Sequence, residues 1–354
     1  MTKQGGPLPQ GAESGTNVAL VGASSLQGKE IKEILQERHF PLSRLALLDA
    51  EEVGGQLTEF GEEPAVIYPV TDESFEDIAL ALFASSPAFT QQHWQMAEGQ
   101  GCEIIDLSNY LETNPQARLR APSIERLRED SVHSPGGRPA GGRISISAHP
   151  AAMAIAGILV QLSRRFVVER SAFTVYEPAS EHGKAGVHEL HQQTVSLLAF
   201  QKIPQQVFHS QVAFNLLVSN GEQCRPTLRE VEQRIRSQAA ELVGGRASQP
   251  ALRVLQAPTF YGTAFSCFVE LKEQVPNDVM EEALDRKPFS VCRDPEAQPS
   301  VVGVAGSDDI MLGPVERDPA CSSGYWIWGA LDNLRFSALN SVEIAESLLQ
   351  CSDK

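Results

Sequence analysis

The chain has 354 residues, a hydrophobic share of 42%, a charged share of 21% and a formal net charge of −16, the profile of a globular protein too long for one domain. Its Lys and Arg residues form no dense cluster that could track phosphates, so nucleic acid is excluded as a partner. The longest apolar run, Ala151 to Val160, is too short to span a bilayer, and no membrane partner is expected.

Residues Met1 to Thr16 are rich in Gly, Pro and Gln and lack a basic start before an apolar core, so they read as a disordered tail and not a signal peptide. The cysteines, Cys102, Cys224, Cys267, Cys292, Cys321 and Cys351, are scattered without a C-x-x-C pair. Reduced thiols in a cytoplasmic protein fit that spacing; a zinc knuckle or disulfide framework does not.

The apolar run Val18 to Val21 breaks at Gly22, and a polar turn leads through Gly28 into Lys29–Arg38, whose apolar residues fall at helical spacing. A strand, tight turn and helix start in that order make an anion site, because free backbone N–H groups and the positive helix end face whatever lies over the loop. The dinucleotide fingerprint reads Gly22, Ser25, Gly28. The serine Cβ at the middle position crowds a pyrophosphate, or its hydroxyl donates to it. Leu45–Leu48 reads as the second strand, ending in Asp49-Ala-Glu-Glu52. Acidic residues there either hold an adenosine ribose and repel a 2′-phosphate, favouring NAD over NADP, or form a solvated loop.

Ile78–Phe83 is a nearly continuous apolar run, as a strand covered on both faces requires, and the small residues of Ala84-Ser-Ser-Pro87 leave room for a ligand beyond it. A helix follows over about Thr90–Gln100, then a strand at Cys102–Asp106. The alternation predicts an α/β fold with a doubly wound parallel sheet. Asn114–Arg143 reads as loop-rich, with a mobile Gly/Pro segment at His133–Arg143. An apolar helix runs from Ala151 to Leu162. Beyond it, Phe166–Tyr176, Ala251–Ala257 and Ser266–Leu271 alternate like half-buried strands, with helices at Gly186–Phe200, Pro226–Val243 and Leu331–Gln350. The expected organisation is a Rossmann-type domain over 17–150 plus 331–354 and an α+β domain over 151–330, the last helix returning to the first domain.

By this point several segments share one outline: Val21-Gly-Ala-Ser-Ser-Leu-Gln-Gly28, Ile105-Asp-Leu-Ser108, Gly183-Lys-Ala-Gly186, Val212-Ala-Phe-Asn215, Asp332-Asn-Leu-Arg335 and Ala338-Leu-Asn340. Their order and spacing resemble the aspartate-semialdehyde dehydrogenase family, and more closely its Usg-type paralogue branch, over nearly all of the chain after residue 16. The resemblance implies a homodimer built on the second domain, a place in amino-acid biosynthesis, and an NAD or NADP cofactor, with NAD favoured here and no binding at all as the alternative. The residues assigned to the cofactor are Gly22, Ser24, Ser25, Leu26, Gln27, Gly28, Asp49, Ser85 and Asn333.

The family reaction needs a low-pKa cysteine at a helix start, a histidine to manage protons and arginines to hold anions. The resemblance places the nucleophile at Ala151 or Ala152 and the base at Thr263, neither of which can serve. Tyr261 stands for an arginine, Glu112 for the phosphate-gripping arginine, Glu177 for a glutamine, and Glu52 for an arginine that would hold an NADP phosphate. The resulting expectation is a homologue that keeps the pocket and dimer without semialdehyde dehydrogenase chemistry. The alternative is an oxidoreductase on another substrate by direct hydride transfer, with His149 or His182 carrying the proton.

His149 otherwise reads as a helix-entry residue. His182, His188 and His191 with Glu181 and Glu189 read as an exposed polar helix end, not a metal site. Cys267 reads as core, and Tyr325–Trp328 as an interface or core strand.

Overall fold

Val18 and Leu20 face one hydrophobic core while Ala19 and Val21 face another, the period-two alternation of a strand covered on both sides. These residues belong to β1 (Thr16–Val21), the centre of the first unit. The structure is a computed structural model describing residues 15–61, 63–129, 142–294, 296 and 298–352. Of the tail expected over Met1–Thr16, residues up to 14 lie outside them, as do residues up to 141 of the Gly/Pro segment expected at His133–Arg143; Thr16 already opens β1.

The chain divides into two units. The first comprises Met1–Pro122, Val132–Ala148 and Ser337–Lys354, the second Ser123–Ser131 and His149–Phe336. In the first, α1 (Leu26–Glu37) follows β1, and β2 (Leu42–Asp49) leads to a hairpin of β3 (Leu57–Phe60) and β4 (Glu63–Val66). Then come β5 (Tyr68–Pro69), β6 (Leu80–Phe83), α2 (Pro87–Gly99), β7 (Glu103–Asp106), β8 (Ala117–Arg120) and β9 (Ile144–Ser147); α3 (Pro122–Glu129), between β8 and β9 in the chain, belongs from Ser123 onward to the second unit. The sheet order is β5-β2-β1-β6-β7-β9-β8, and every pairing is parallel. This is the expected doubly wound α/β sheet.

The stretch Asn114–Arg143 is not all loop: it holds β8 and α3. β8 is a four-residue edge strand, and α3 offers only Ile124 and Leu127 as an apolar pair, too little pattern to rise above its charged residues.

Besides α3, the second unit holds α4 (Pro150–Ser163), β10 (Val168–Glu177), α5 (Gly183–Leu198), α6 (Leu228–Val243), β11 (Ala251–Gln256), β12 (Thr263–Leu271) and α7 (Asn277–Leu284). β13 (Phe289–Val291), β14 (Ile310–Leu312), β15 (Glu316–Arg317), β16 (Gly324–Leu331) and α8 (Asn333–Ser352) close the chain. Its sheet runs β11-β10-β12-β16-β14-β13, with β15 paired to β16. Parallel and antiparallel pairings mix, as an α+β domain allows.

Pro150 to Leu162 are all buried, so α4 is a core helix, apolar around its whole circumference. α6 starts on a capping box between Thr227 and Glu230 and ends on left-handed Gly244. From Ser337 onward α8 belongs to the first unit, where Val342, Ile344 and Ala345 join the core of Val18 and Leu20. Glu346 of α8 takes both guanidinium bonds of Arg38, at 2.8 and 2.6 Å.

Candidate functional site

The loop after β1 is built as a phosphate-type turn. Gly22 holds φ +85°, and a Cβ there would lie 2.6 Å from the Ala84 carbonyl oxygen; a Cβ on Gly28 would lie 2.3 Å from the Gly22 oxygen. Both positions therefore demand glycine. Ser25 caps α1 by accepting from the Gly28 N–H at 2.8 Å, and its own hydroxyl donates to the Ala84 carbonyl at 2.8 Å. The serine in the middle of the fingerprint is thus part of the loop's internal bonding, and its proton is engaged.

Asp49, at the tip of β2, accepts from the Ser24 N–H at 2.9 Å and the Ala50 N–H at 2.8 Å. One carboxylate so ties the acidic strand end to the glycine loop. Gln27 donates to Ser337 Oγ at 3.2 Å, and Ser85 pairs with Thr90 through their hydroxyls at 3.0 Å. Of the cofactor candidates, Gly22, Ser24, Ser25, Leu26, Gln27, Gly28, Asp49 and Ser85 share the first unit, while Asn333 lies in the second.

In the second unit one end of the sheet gathers buried polar groups. Glu177 closes β10 and pairs in register with Gln256, the last residue of β11; Thr263 opens β12 opposite Leu331 of β16. Glu177 is 1% exposed, Gln256 and Thr263 are fully buried. Neither Glu177 carboxylate oxygen has a hydrogen-bond partner among the described residues, and the same holds for Gln256 Oε1 and Thr263 Oγ1. Unpaired polar atoms are costly in a core and point to a ligand or a function.

His149 stands at the start of α4 as its N-cap. Its Nδ1 accepts from the Ala151 N–H at 3.2 Å, and its backbone N–H donates to Gln238 Oε1 at 2.7 Å. Its Nε2 lies 3.8 Å from Glu177 Oε1 and 3.7 Å from Glu181 Oε2. Asn333 supports the cluster: its Nδ2 donates to Glu181 Oε1 at 2.6 Å, while its Oδ1 accepts from the Gly262 N–H at 3.0 Å.

Burial and the neighbouring Glu181 charge drive the Glu177 carboxyl up to about 8, against the smaller pull of His149 and Arg234. Burial opposes charge on His149, but Glu181 and Glu177 outweigh it and raise the imidazole. Burial also works against the Glu181 anion; the nearby His149 imidazole and the Asn333 hydrogen bond nevertheless hold it below the ordinary carboxylate range. Two carboxylates with opposite shifts make an acid and a base side by side.

His149 Nε2 and one oxygen each of Glu177 and Glu181 lie within 4.8 Å of one another, a set whose donor types could hold a metal ion. The tautomer argues against it. With Nδ1 accepting a backbone N–H, the ring proton belongs on Nε2, the atom that would have to coordinate, whereas metal-bound imidazoles donate from the remote nitrogen. His188 and His191 are exposed on α5 and outside this set.

Ala151 and Ala152 fill the first turn of α4, at 1% and 0% exposure. Cys267 lies in the middle of β12 between Phe173 and Ile327, fully buried, and burial pushes its thiol far up. It is a core residue, as the sequence suggested. His182 packs edge-on to Phe208 at 4.9 Å, and burial lowers its pKa. Tyr261 is 44% exposed, Glu52 lies exposed in a short 3₁₀ turn after β2, and Glu112 lies half-buried in another after β7.

Sequence reasoning found His149 and treated Glu177 only as a lost glutamine. It missed Gln238 and Gln256, for which no local pattern exists, and placed Glu181 with His188 rather than with His149.

Residues 17–131 match the family model described as semialdehyde dehydrogenase, NAD binding domain, and residues 159–336 the model described as semialdehyde dehydrogenase, dimerisation domain. The chain is 30% identical to a USG-1 protein homolog of Azotobacter vinelandii, with 94% of this chain and 98% of that one covered. It is 28% identical to an aspartate-semialdehyde dehydrogenase of Rickettsia bellii, over 94% and 98%. The solved structure of a probable aspartate-semialdehyde dehydrogenase from Pseudomonas aeruginosa superposes with a TM-score of 0.81 at 30% identity, covering 95% of this chain and 99% of that one. With both units matched in order and relatives aligned almost end to end, this chain belongs to the aspartate-semialdehyde dehydrogenase family, in its Usg-type branch.

Proposed function

We propose that this protein is a binding member of its family: it keeps a dinucleotide-type loop and a homodimeric body in the cytoplasm but does not oxidise the semialdehyde. The observation that carries this reading is the first turn of α4, Pro150-Ala151-Ala152-Met153, buried and without a nucleophile. Thr263 stands for the base, Glu112 for the phosphate arginine and Glu177 for the glutamine. Such groups act as a unit, so the loss of the nucleophile alone removes many orders of magnitude of rate. The NAD-binding and dimerisation family models support the dinucleotide site and the dimer; the acidic residues Asp49 and Glu52 favour NAD over NADP.

The test is a steady-state assay of purified protein with aspartate semialdehyde, phosphate and NAD or NADP, beside an active relative. No turnover above the protein-free rate is expected; measurable phosphate-dependent reduction of the nucleotide defeats the reading.

A second reading is favoured by one observation, the His149–Glu177–Glu181 cluster beside the position of the lost nucleophile. A direct hydride transfer on another substrate needs a proton carrier and no covalent intermediate, and this cluster can supply one. Calorimetric titration with NAD and NADP decides: no dinucleotide affinity at millimolar concentration removes this alternative.

A further inference from the structure

We propose that His149, Glu177 and Glu181 form a seat for one oxygen atom of an uncharged ligand, the hydroxyl of a hydroxy-carbonyl compound or polyol. The inference rests on the reading that this unit is kept for binding, and it names the class of ligand bound.

The geometry comes first. The separations of 3.7 and 3.8 Å between His149 Nε2 and the two carboxylates are too wide for direct hydrogen bonds. They suit an atom that caps the three groups, which lie within 4.8 Å of one another, at the usual hydrogen-bond length of about 2.8 Å from each.

The bonding capacities fit an oxygen. His149 Nε2 is a donor because Nδ1 is held as an acceptor by the Ala151 N–H. Glu177 in its acid form is a second donor, and Glu181, anchored by Asn333, is an acceptor. A hydroxyl takes two hydrogen bonds and gives one, and so meets all three groups; a carbonyl has no proton for Glu181. A protonated amine has only donors to offer and would oppose the His149 N–H.

An independent observation points the same way. Gln256 Oε1 and Thr263 Oγ1, both fully buried and without partners, stand on the strands flanking Glu177. They offer an acceptor and a hydroxyl to further O–H groups of the same ligand. Glu181, the anion of the cluster, repels acids and phosphates, so the ligand is neutral.

Binding should follow the protonation of Glu177, with His149, Glu181, His182 and Arg234 as the charged or titratable groups acting on the cluster. The experiment is a calorimetric and thermal-shift titration of the full chain with glycerol, hydroxyacetone and glyceraldehyde, then acetate, aspartate, inorganic phosphate and zinc chloride alone. A neutral hydroxy compound should bind, weakening as pH rises toward and past 8. Glu177→Gln should bind with a flat pH profile, and Glu177→Leu should weaken binding about tenfold, as one lost hydrogen bond does. If Glu177→Leu does not fold, the flat profile of Glu177→Gln still decides.

Binding of the acids or of zinc alone, or silence with every neutral compound, overturns the proposal. Silence there together with no semialdehyde turnover removes the ligand class and leaves the functional reading standing. Turnover removes the functional reading whatever the titration gives.

Discussion

His149 Nε2 stands 3.8 Å from Glu177 Oε1, and neither oxygen of that glutamate is hydrogen-bonded. An imidazole capping a core helix so meets a buried acid at the end of a core strand. The pair sits beside the alanines that occupy the nucleophile's expected place.

Glu177 makes stability depend on pH in a defined direction. Its carboxyl is raised to about 8 in the folded protein against 4.5 as the ordinary value, so between those pH values the native state binds more protons than the unfolded state. Stability contributed by the neutral acid is therefore lost as pH rises from about 4.5 to 8. Glu177→Gln should remove that slope and gain on the wild type by roughly 3–5 kcal/mol at the alkaline end. Urea unfolding at pH 5 and pH 8.5 checks it; parallel behaviour of the two proteins contradicts the assignment.

A thiol placed where the family resemblance expects one should not bring semialdehyde turnover. Ala151→Cys or Ala152→Cys places a thiol in the first turn of α4, where the helix dipole favours the thiolate. With Thr263, Glu177 and Glu112 unchanged, turnover of the semialdehyde should stay at background. An activity assay reports this, and substantial turnover from either single variant shows that the remaining groups suffice.

The cap of α1 should be measurable. Ser25→Ala removes the acceptor for the Gly28 N–H and leaves the Ala84 carbonyl without its donor. A loss of about 1–2 kcal/mol is expected from equilibrium unfolding. A neutral effect means that another group takes over both bonds.

Asp49 joins stability to nucleotide preference. Asp49→Ala leaves the Ser24 and Ala50 N–H groups without their acceptor and should cost about 1–3 kcal/mol. NAD should raise the melting temperature of the wild type more than NADP does, and the variant should narrow that difference. An equal or larger shift with NADP rejects the role given to Asp49 and Glu52.

Alkylation should separate the cysteines by environment. Cys267 is fully buried with its thiol pushed far up, while Cys292 and Cys321 are partly exposed. Under native conditions iodoacetamide should label Cys292 and Cys321 and spare Cys267, as read by peptide mass spectrometry. Rapid native labelling of Cys267 points to a reactive thiol.

The sequence alone determined the parallel sheet of the first unit, because buried strands there are short, purely apolar and punctuated by Gly22, Ser86 and Pro87. It also shows that Ala151 and Ala152, where the family resemblance expects the nucleophile, carry no group able to attack a carbonyl. It could not reveal β8 and α3, whose patterns are weak on a sheet edge, nor the hairpin of β3 and β4, whose half-exposed residues carry little alternation. The cluster of the second unit was decided only by tertiary structure. His149, Glu177 and Gln256 are far apart in the chain, and no local pattern links the histidine to either partner. Strand register sets Gln256 beside Glu177, and the start of α4 brings His149 within 4 Å of it. Burial, a property of the packed chain, then turns an ordinary glutamate into an acid that holds its proton near neutrality.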